Sequence, residues 1–201
     1  MVKNILDRLE SLRIRNLNNH TAINNDLYKL VHNKDLLRIA YHTIKSKPGN
    51  MTPGYNQETL DAISENYLDK LSHELKTLKY KFQPVKRIHI PKPNGQFRPL
   101  GVPNPRDKIV QQAMLVILEA IYEPIFSERS HGFRKNHSCH TALRTVRSKW
   151  SGMKWAIEGD ITKCYDSIDH HKLITILEQK IDDEKFIQLI WKSLRAGIWT
   201  N

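Results

Sequence analysis

Residues 158–171, EGDITKCYDSIDHH, gather Glu158, Asp160, Asp166 and Asp169 beside a pair of histidines, directly after the apolar run WAI. A strand predicted over Lys154 to Ile161 would leave Asp160 at its end, with its carboxylate at a sheet edge. A hard cation such as Mg²⁺ takes oxygen ligands of that kind, commonly one or two carboxylates together with substrate phosphates. One acid does not make a site, and Asp160 and Asp166 equally suit the capping of turns. A second group has the opposite sign: Lys86, Arg87, Lys92 and Arg98 cluster around the turn PNG, with Arg134 and Lys135 further along. Basic hairpins that close over phosphates supply charge-assisted, partly bidentate hydrogen bonds. A solubilising face has the same composition, so the acid and the cluster become informative only if they face one another. His131, His137, Cys139 and His140 lack the paired spacing of a zinc site and read as ordinary polar residues. His170 and His171 fall in the first turn of a helix, as surface residues.

The whole chain is basic. Its 32 Lys and Arg against 21 Asp and Glu leave a formal charge of +11, which favours a polyanionic partner, nucleic acid first. A membrane surface is the rival, but no apolar run approaches the roughly 20 residues of a spanning helix. With 201 residues, 39% of them hydrophobic, the chain can bury a core as one large domain or two small ones. Two cysteines, Cys139 and Cys164, suit a reducing interior rather than a disulfide scaffold. The first residues carry no signal-peptide core, so the chain reads as mature from residue 1. Richness in Lys, Ile and Asn matches translations of AT-rich organellar genes.

Elements must position these groups. Apolar spacing predicts a helix from Asn4 to about Leu17, and a second from Asn25 to Lys45 with Leu27, Leu30, Val31, Leu37 and Ile39 inward and Lys29, Lys34 and Arg38 outward. KPGNMTPGYN is a loop. Thr59 to Leu78 carries a helical stripe. Val85 to Pro91 alternates, with Ile88 and Ile90 on one side and basic or polar residues on the other, and PNG then predicts a hairpin. The apolar run after Pro105 reads as a buried helix ending before Pro124. Ser138 and Asp169 read as N-caps of two further helices, and a last one runs from near Asp183 to about Ala196.

Four stretches together carry a family resemblance: NMTPGYNQETLD (Asn50 to Asp61), IPKPNGQFRPLGVPNPRDKIVQQAMLVILEAIYEPIF (Ile90 to Phe126), SHGFRKNHSCHTAL (Ser130 to Leu143) and GDITKCYDSIDHHKL (Gly159 to Leu173). In this order the chain resembles the N-terminal part of group II intron-encoded reverse transcriptases, or maturases, of the mitochondrial type. The resemblance implies an α+β fold of fingers with the first part of the palm, helix-rich with a basic β-hairpin. It divides the chain into a helical extension (1–48), fingers (49–150) and partial palm (151–201). It makes Asp160 the first catalytic aspartate and a magnesium ligand, assisted by the Ile161 carbonyl. Lys92 and Arg98 become the grip on the incoming triphosphate, and Tyr165 the aromatic gate against a ribose 2′-hydroxyl, where the family usually has Phe. Asp166 and Asp169 become structural parts of the motif, while the basic cluster itself offers Lys86, Arg87, Arg134 and Lys135 as RNA contacts.

Two positions depart from the family: Asn56 stands where Asp is common, and His137 where Arg is, weakening template contacts there. The sequence closes at SLRAGIWTN, before the block that leads to the Tyr-Ala-Asp-Asp signature. The expectation is therefore an intron-RNA-binding maturase portion acting in splicing within a mitochondrial ribonucleoprotein, unable to polymerise alone and binding Mg²⁺ weakly. Two alternatives stay open: a relic recruited as a structural RNA-binding subunit, for example of a mitochondrial ribosome with ribosomal RNA as its partner, and a polymerase completed in trans by a second polypeptide.

Overall fold

After its first turn, the segment following Pro105 carries so little charge that a helix there is stable only when most of its sides are covered. The computed structural model, which describes residues 2–199, builds the molecule around that helix. In chain order the elements are α1 (Val2–Asn18), α2 (Tyr28–Val31), α3 (Lys34–Ile44), α4 (Glu65–Lys76), β1 (Val85–Pro91), β2 (Phe97–Val102), α5 (Pro105–Tyr122), α6 (Cys139–Lys149), α7 (His170–Glu178), α8 (Glu184–Leu194) and β3 (Ile198–Trp199). Short 3₁₀ turns occupy Leu60–Ala62 and Glu123–Ile125. The fold is α+β: helices pack around α5, and a small sheet in the order β2-β1-β3 rises beside them.

One cluster of buried side chains runs from Ile5 and Leu9 of α1 through Leu36 of α3, Leu75 of α4 and Ile117 of α5 to Phe186 of α8. It crosses residues 48 and 150 alike, so those divisions are not breaks in the core. Exposed ion pairs such as Arg38 with Glu65 contribute under about 1 kcal/mol each. Burying a side chain the size of Phe186 or Leu36 contributes about 1.5–3 kcal/mol, so packing decides the stability.

Buried polar groups then fix how distant segments meet. The Asn24 backbone N–H donates to the Lys180 carbonyl at 2.8 Å, and the Asp182 N–H returns a bond to the Asn24 carbonyl at 2.8 Å. Asn24 and Asn16, both fully buried, exchange side-chain hydrogen bonds. Asp183 caps α8 through the Phe186 N–H and also accepts from the Tyr28 N–H at 2.8 Å. Most consequential is Asp107, in the first turn of α5 and 1% exposed. It accepts from the Tyr80 hydroxyl and, at 3.0 Å, from the Gln83 N–H. Burial pushes the carboxyl of Asp107 above its ordinary range and the hydroxyl of Tyr80 well above its own.

Three expectations need correction. The helix expected over Asn25 to Lys45 is broken, because the Asn33 side chain accepts from the Asp35 and Leu36 N–H groups and starts α3 afresh. The helix expected from Thr59 begins at Glu65 for the same reason, with Ser64 accepting from the Tyr67 N–H. No strand forms over Lys154 to Ile161: the segment is irregular and exposed. Strand hydrogen bonds lie between chains of the sheet, and among the described residues none runs beside it. Conversely, β3 pairs in parallel with β1, Val85 opposite Ile198, a long-range pairing with no local signal.

Removing only the Tyr80 hydroxyl takes one of two donors from a buried carboxylate and leaves the Gln83 N–H. Tyr80→Phe is expected to lower stability by about 1–3 kcal/mol in urea unfolding, whereas Lys29→Ala, which breaks an exposed ion pair, changes it by less than about 0.5 kcal/mol.

Candidate nucleic-acid interface

The basic ribbon forms where the turn chemistry demands it. Gly95 sits at φ +78°, a conformation that suits glycine. The Lys92 N–H donates to the Gln96 carbonyl at 2.7 Å and the Gly95 N–H to the Lys92 carbonyl at 3.0 Å, closing the loop between β1 and β2. The register pairs Lys86 with Val102, Ile88 with Leu100 and Ile90 with Arg98. Directly opposite residues share a face, so Arg98 lies in one row with Ile90, Ile88 and Lys86, and Lys92 continues that row at the turn. Arg87, opposite Gly101, lies on the other face with His89 and Phe97. Lys86 thus shares the isoleucine side, half-buried, rather than the basic side expected for it; the period of two places residues 86, 88 and 90 together. The cationic surface wraps both faces of the ribbon. Arg87, Lys92 and Arg98 are exposed, and among the described residues none of the four hairpin cations forms an ion pair.

Arg134 is arranged differently. Its Nε donates to Glu123 at 3.0 Å, its Nη1 to the Ser127 and Ser130 carbonyls at 2.7 and 2.8 Å, and Nη2 meets Glu123 at 2.9 Å. The guanidinium also lies 5.4 Å from the Phe126 ring centroid, and the side chain is only 9% exposed. Arg134 therefore fastens the loop after α5 to the protein. Its neighbour Lys135 is exposed.

The acidic stretch makes no ion pair with these cations among the described residues. Asp160, Ile161 and Tyr165 are exposed, Ile161 by 70% and Tyr165 by 76%. No hydrogen bond or ion pair joins Asp160 to Lys92 or Arg98 among the described residues. Asp169 caps α7, accepting from the His171 and Lys172 N–H groups at 2.8 and 3.1 Å, and these donors hold its carboxyl below the usual range. Ser138 caps α6 in a reciprocal capping box with Thr141. His131 turns to Thr141 at 2.9 Å and His137 to the Lys135 carbonyl at 3.0 Å. Among the described residues no group of at least three His, Cys, Asp or Glu side chains converges to hold a metal.

Sequence reasoning missed Asn104, a fully buried side chain just before α5. Its Oδ1 accepts from the Asn56 N–H at 3.2 Å, docking the Pro-Gly loop on α5. A Cβ on Gly54 would lie 2.7 Å from the Asn104 Cα, so only glycine allows this approach. Lys108 approaches the Thr52 carbonyl from α5 at 3.4 Å, and burial lowers its pKa. The Asn-Pro pair in VPNP was the visible sign.

Residues 90–199 match the reverse transcriptase (RNA-dependent DNA polymerase) family. The chain is 51% identical over 188 residues to the putative COX1/OXI3 intron 1 protein of Saccharomyces cerevisiae, covering 94% of this chain and 22% of that protein. It is 48% identical to an uncharacterized 91 kDa protein in the cob intron of Schizosaccharomyces pombe, over 98% of this chain and 25% of the relative. It is 44% identical to the group II intron-encoded protein LtrA of Lactococcus lactis, over 87% and 29%. The chain thus spans about a quarter of the length of these relatives.

The two kinds of arginine separate experimentally. Arg134→Ala, which leaves Glu123 and two carbonyls without their donor, is expected to lower stability by about 1–3 kcal/mol. Arg87→Ala and Arg98→Ala should change it by within about 0.5 kcal/mol, all read by urea unfolding.

Proposed function

The chain belongs to the reverse transcriptase family, in its group II intron-encoded branch, and from that premise we propose that it is an RNA-binding maturase portion acting on intron RNA in splicing. The observation that carries this reading is the hairpin: Lys86, Arg87, Lys92 and Arg98 lie on one short ribbon without a carboxylate partner among the described residues. Unpaired cations on a protruding element suit a phosphate backbone, whose neutralisation releases counterions. Lys92 and Arg98, in one row, would grip the triphosphate, with Arg87 and Lys135 as RNA contacts. Tyr165 would stand against a ribose 2′-hydroxyl. The composition and the intron-encoded relatives together support a mitochondrial setting.

Magnesium is the cofactor that the family implies. Asp160, with the Ile161 carbonyl beside it, supplies part of an oxygen ligand set, but two-metal chemistry needs carboxylates from separate strands. The described residues do not complete that set. Completion by further polypeptide, in cis or in trans, is favoured by one observation. The segment leading to Asp160 holds Trp155 and Ile157 at 90% and 101% exposure, apolar side chains suited to a covered strand.

Filter binding of intron RNA across a salt series is expected to show affinity falling steeply with salt; a flat response contradicts the electrostatic reading. Primer extension by this chain alone is expected to be absent, with Asp160→Asn leaving RNA binding unchanged or slightly tighter. If the chain alone extends a primer and Asp160→Asn abolishes extension, the claim of inertness fails. Activity that appears only on adding a polypeptide with the Tyr-Ala-Asp-Asp block supports completion in trans.

A further inference from the structure

A groove of about 740 Å³ lies at the base of the sheet, between the segment entering β1 and the end of α8. Its lining includes Lys81, Phe82, His171, Trp191, Lys192 and Arg195, and no carboxylate. Lys81, Lys192 and Arg195 are all exposed, and among the described residues none forms an ion pair. Elsewhere Lys34, Arg38, Arg106 and Arg134 each meet a glutamate or aspartate, so the fold holds both paired and unpaired cations.

Arg195 is held in a particular way. Its guanidinium lies 4.4 Å from the Trp191 ring centroid, while the His171 ring meets the same indole edge-on at 4.8 Å. An arginine whose face rests on an indole keeps its N–H edge for a planar oxyanion. The favourable placement of Lys192 and Arg195 near the C-terminus of α8 accounts for two of the cations. It does not account for Lys81, which comes from a different part of the chain and lines the same groove.

We propose that this groove is a second RNA-backbone site, in which Lys81, Lys192 and Arg195 take phosphates at the opposite end of the ribbon from Lys92. The proposal rests on the intron-RNA reading above and goes further by adding a surface. The length of β1, Val85–Pro91, separates the two sites by about 20 Å. One structured RNA can therefore touch both. Three cations without an acid among them favour RNA over a protein partner, and the aromatic floor of Phe82 and Trp191 suits unpaired bases beside the phosphates.

The test compares two sets of variants on the full chain, with fluorescein-labelled single-stranded RNA as probe and the salt dependence of binding as readout. Each cation removed from a phosphate contact lowers the slope of log K against log salt by about 0.7 on single strands. Lys81→Gln with Lys192→Gln should lower the slope by about 1.4, and adding Arg195→Gln should bring the loss to about 2. The double variant keeps the Arg195 stack on Trp191, so its result stands even if the triple variant unfolds. A hairpin set, Arg87→Gln with Lys92→Gln and Arg98→Gln, should lower the slope independently, and the combined sets should add. A wild-type slope in the groove variants, with the hairpin set still affected, overturns the groove and leaves the intron-RNA reading standing. Absence of RNA binding by the wild-type chain overturns both. Polyglutamate that binds wild type, is lost in the groove double variant and is not displaced by the RNA would assign the groove to an acidic protein instead.

Discussion

A carboxylate taken out of water must find donors, and Asp107 finds them in the chain segment that leads to the hairpin. That requirement sets the path of the backbone. Tyr80, itself 1% exposed, is drawn against the first turn of α5, and Gln83 follows it. From there the chain enters β1 at Val85, beside the first turn of α5. Arg106 adds to the arrangement, pairing with Glu74 at the end of α4 and lying 4.9 Å from the Tyr80 ring centroid. The position of the cationic ribbon therefore follows from a buried acid and its donors, not from the basic residues themselves.

The charge of the chain is divided between two tasks. Some cations are held by carboxylates or carbonyls and order the fold: Arg38 links α3 to Glu65, and Arg134 fastens the loop after α5. Others project without such partners, on the hairpin and in the groove by α8. The first kind is sensitive to loss because partners are left unsatisfied. The second contributes little to stability and is available to a polyanion.

The segment following α6 differs in kind from the core. Trp155, Ile157 and Ile161 project into solvent, and the backbone from Lys154 to Ile161 has no ladder. By contrast α7 and α8 return to the core through Ile174, Phe186 and Leu189, and β3 closes on β1. The stretch that carries Asp160 lies between α6, which buries no side chain, and the packed α7 and α8.

The sequence by itself determined the elements whose causes are local. The apolar run of α5, the alternation of β1, the Asn-Gly turn and the caps at Ser138 and Asp169 were all readable, because propensity, period and capping act within a few residues. Two local caps, Asn33 and Ser64, were hidden inside longer apolar stripes that continued past them. The family was legible from ordered motifs, and with it the identity of Asp160, Lys92 and Arg98 as candidates. Only the tertiary structure decided which cations are free. Arg134 and Lys135 are neighbours of equal charge, yet one is enclosed by Glu123 and two carbonyls and the other faces solvent. It also decided that Lys81 joins Arg195 in one groove, that β3 pairs with β1, and that Lys154 to Ile161 forms no strand. Each of these depends on a partner far away in the chain, and no periodicity in a single segment records where that partner lies.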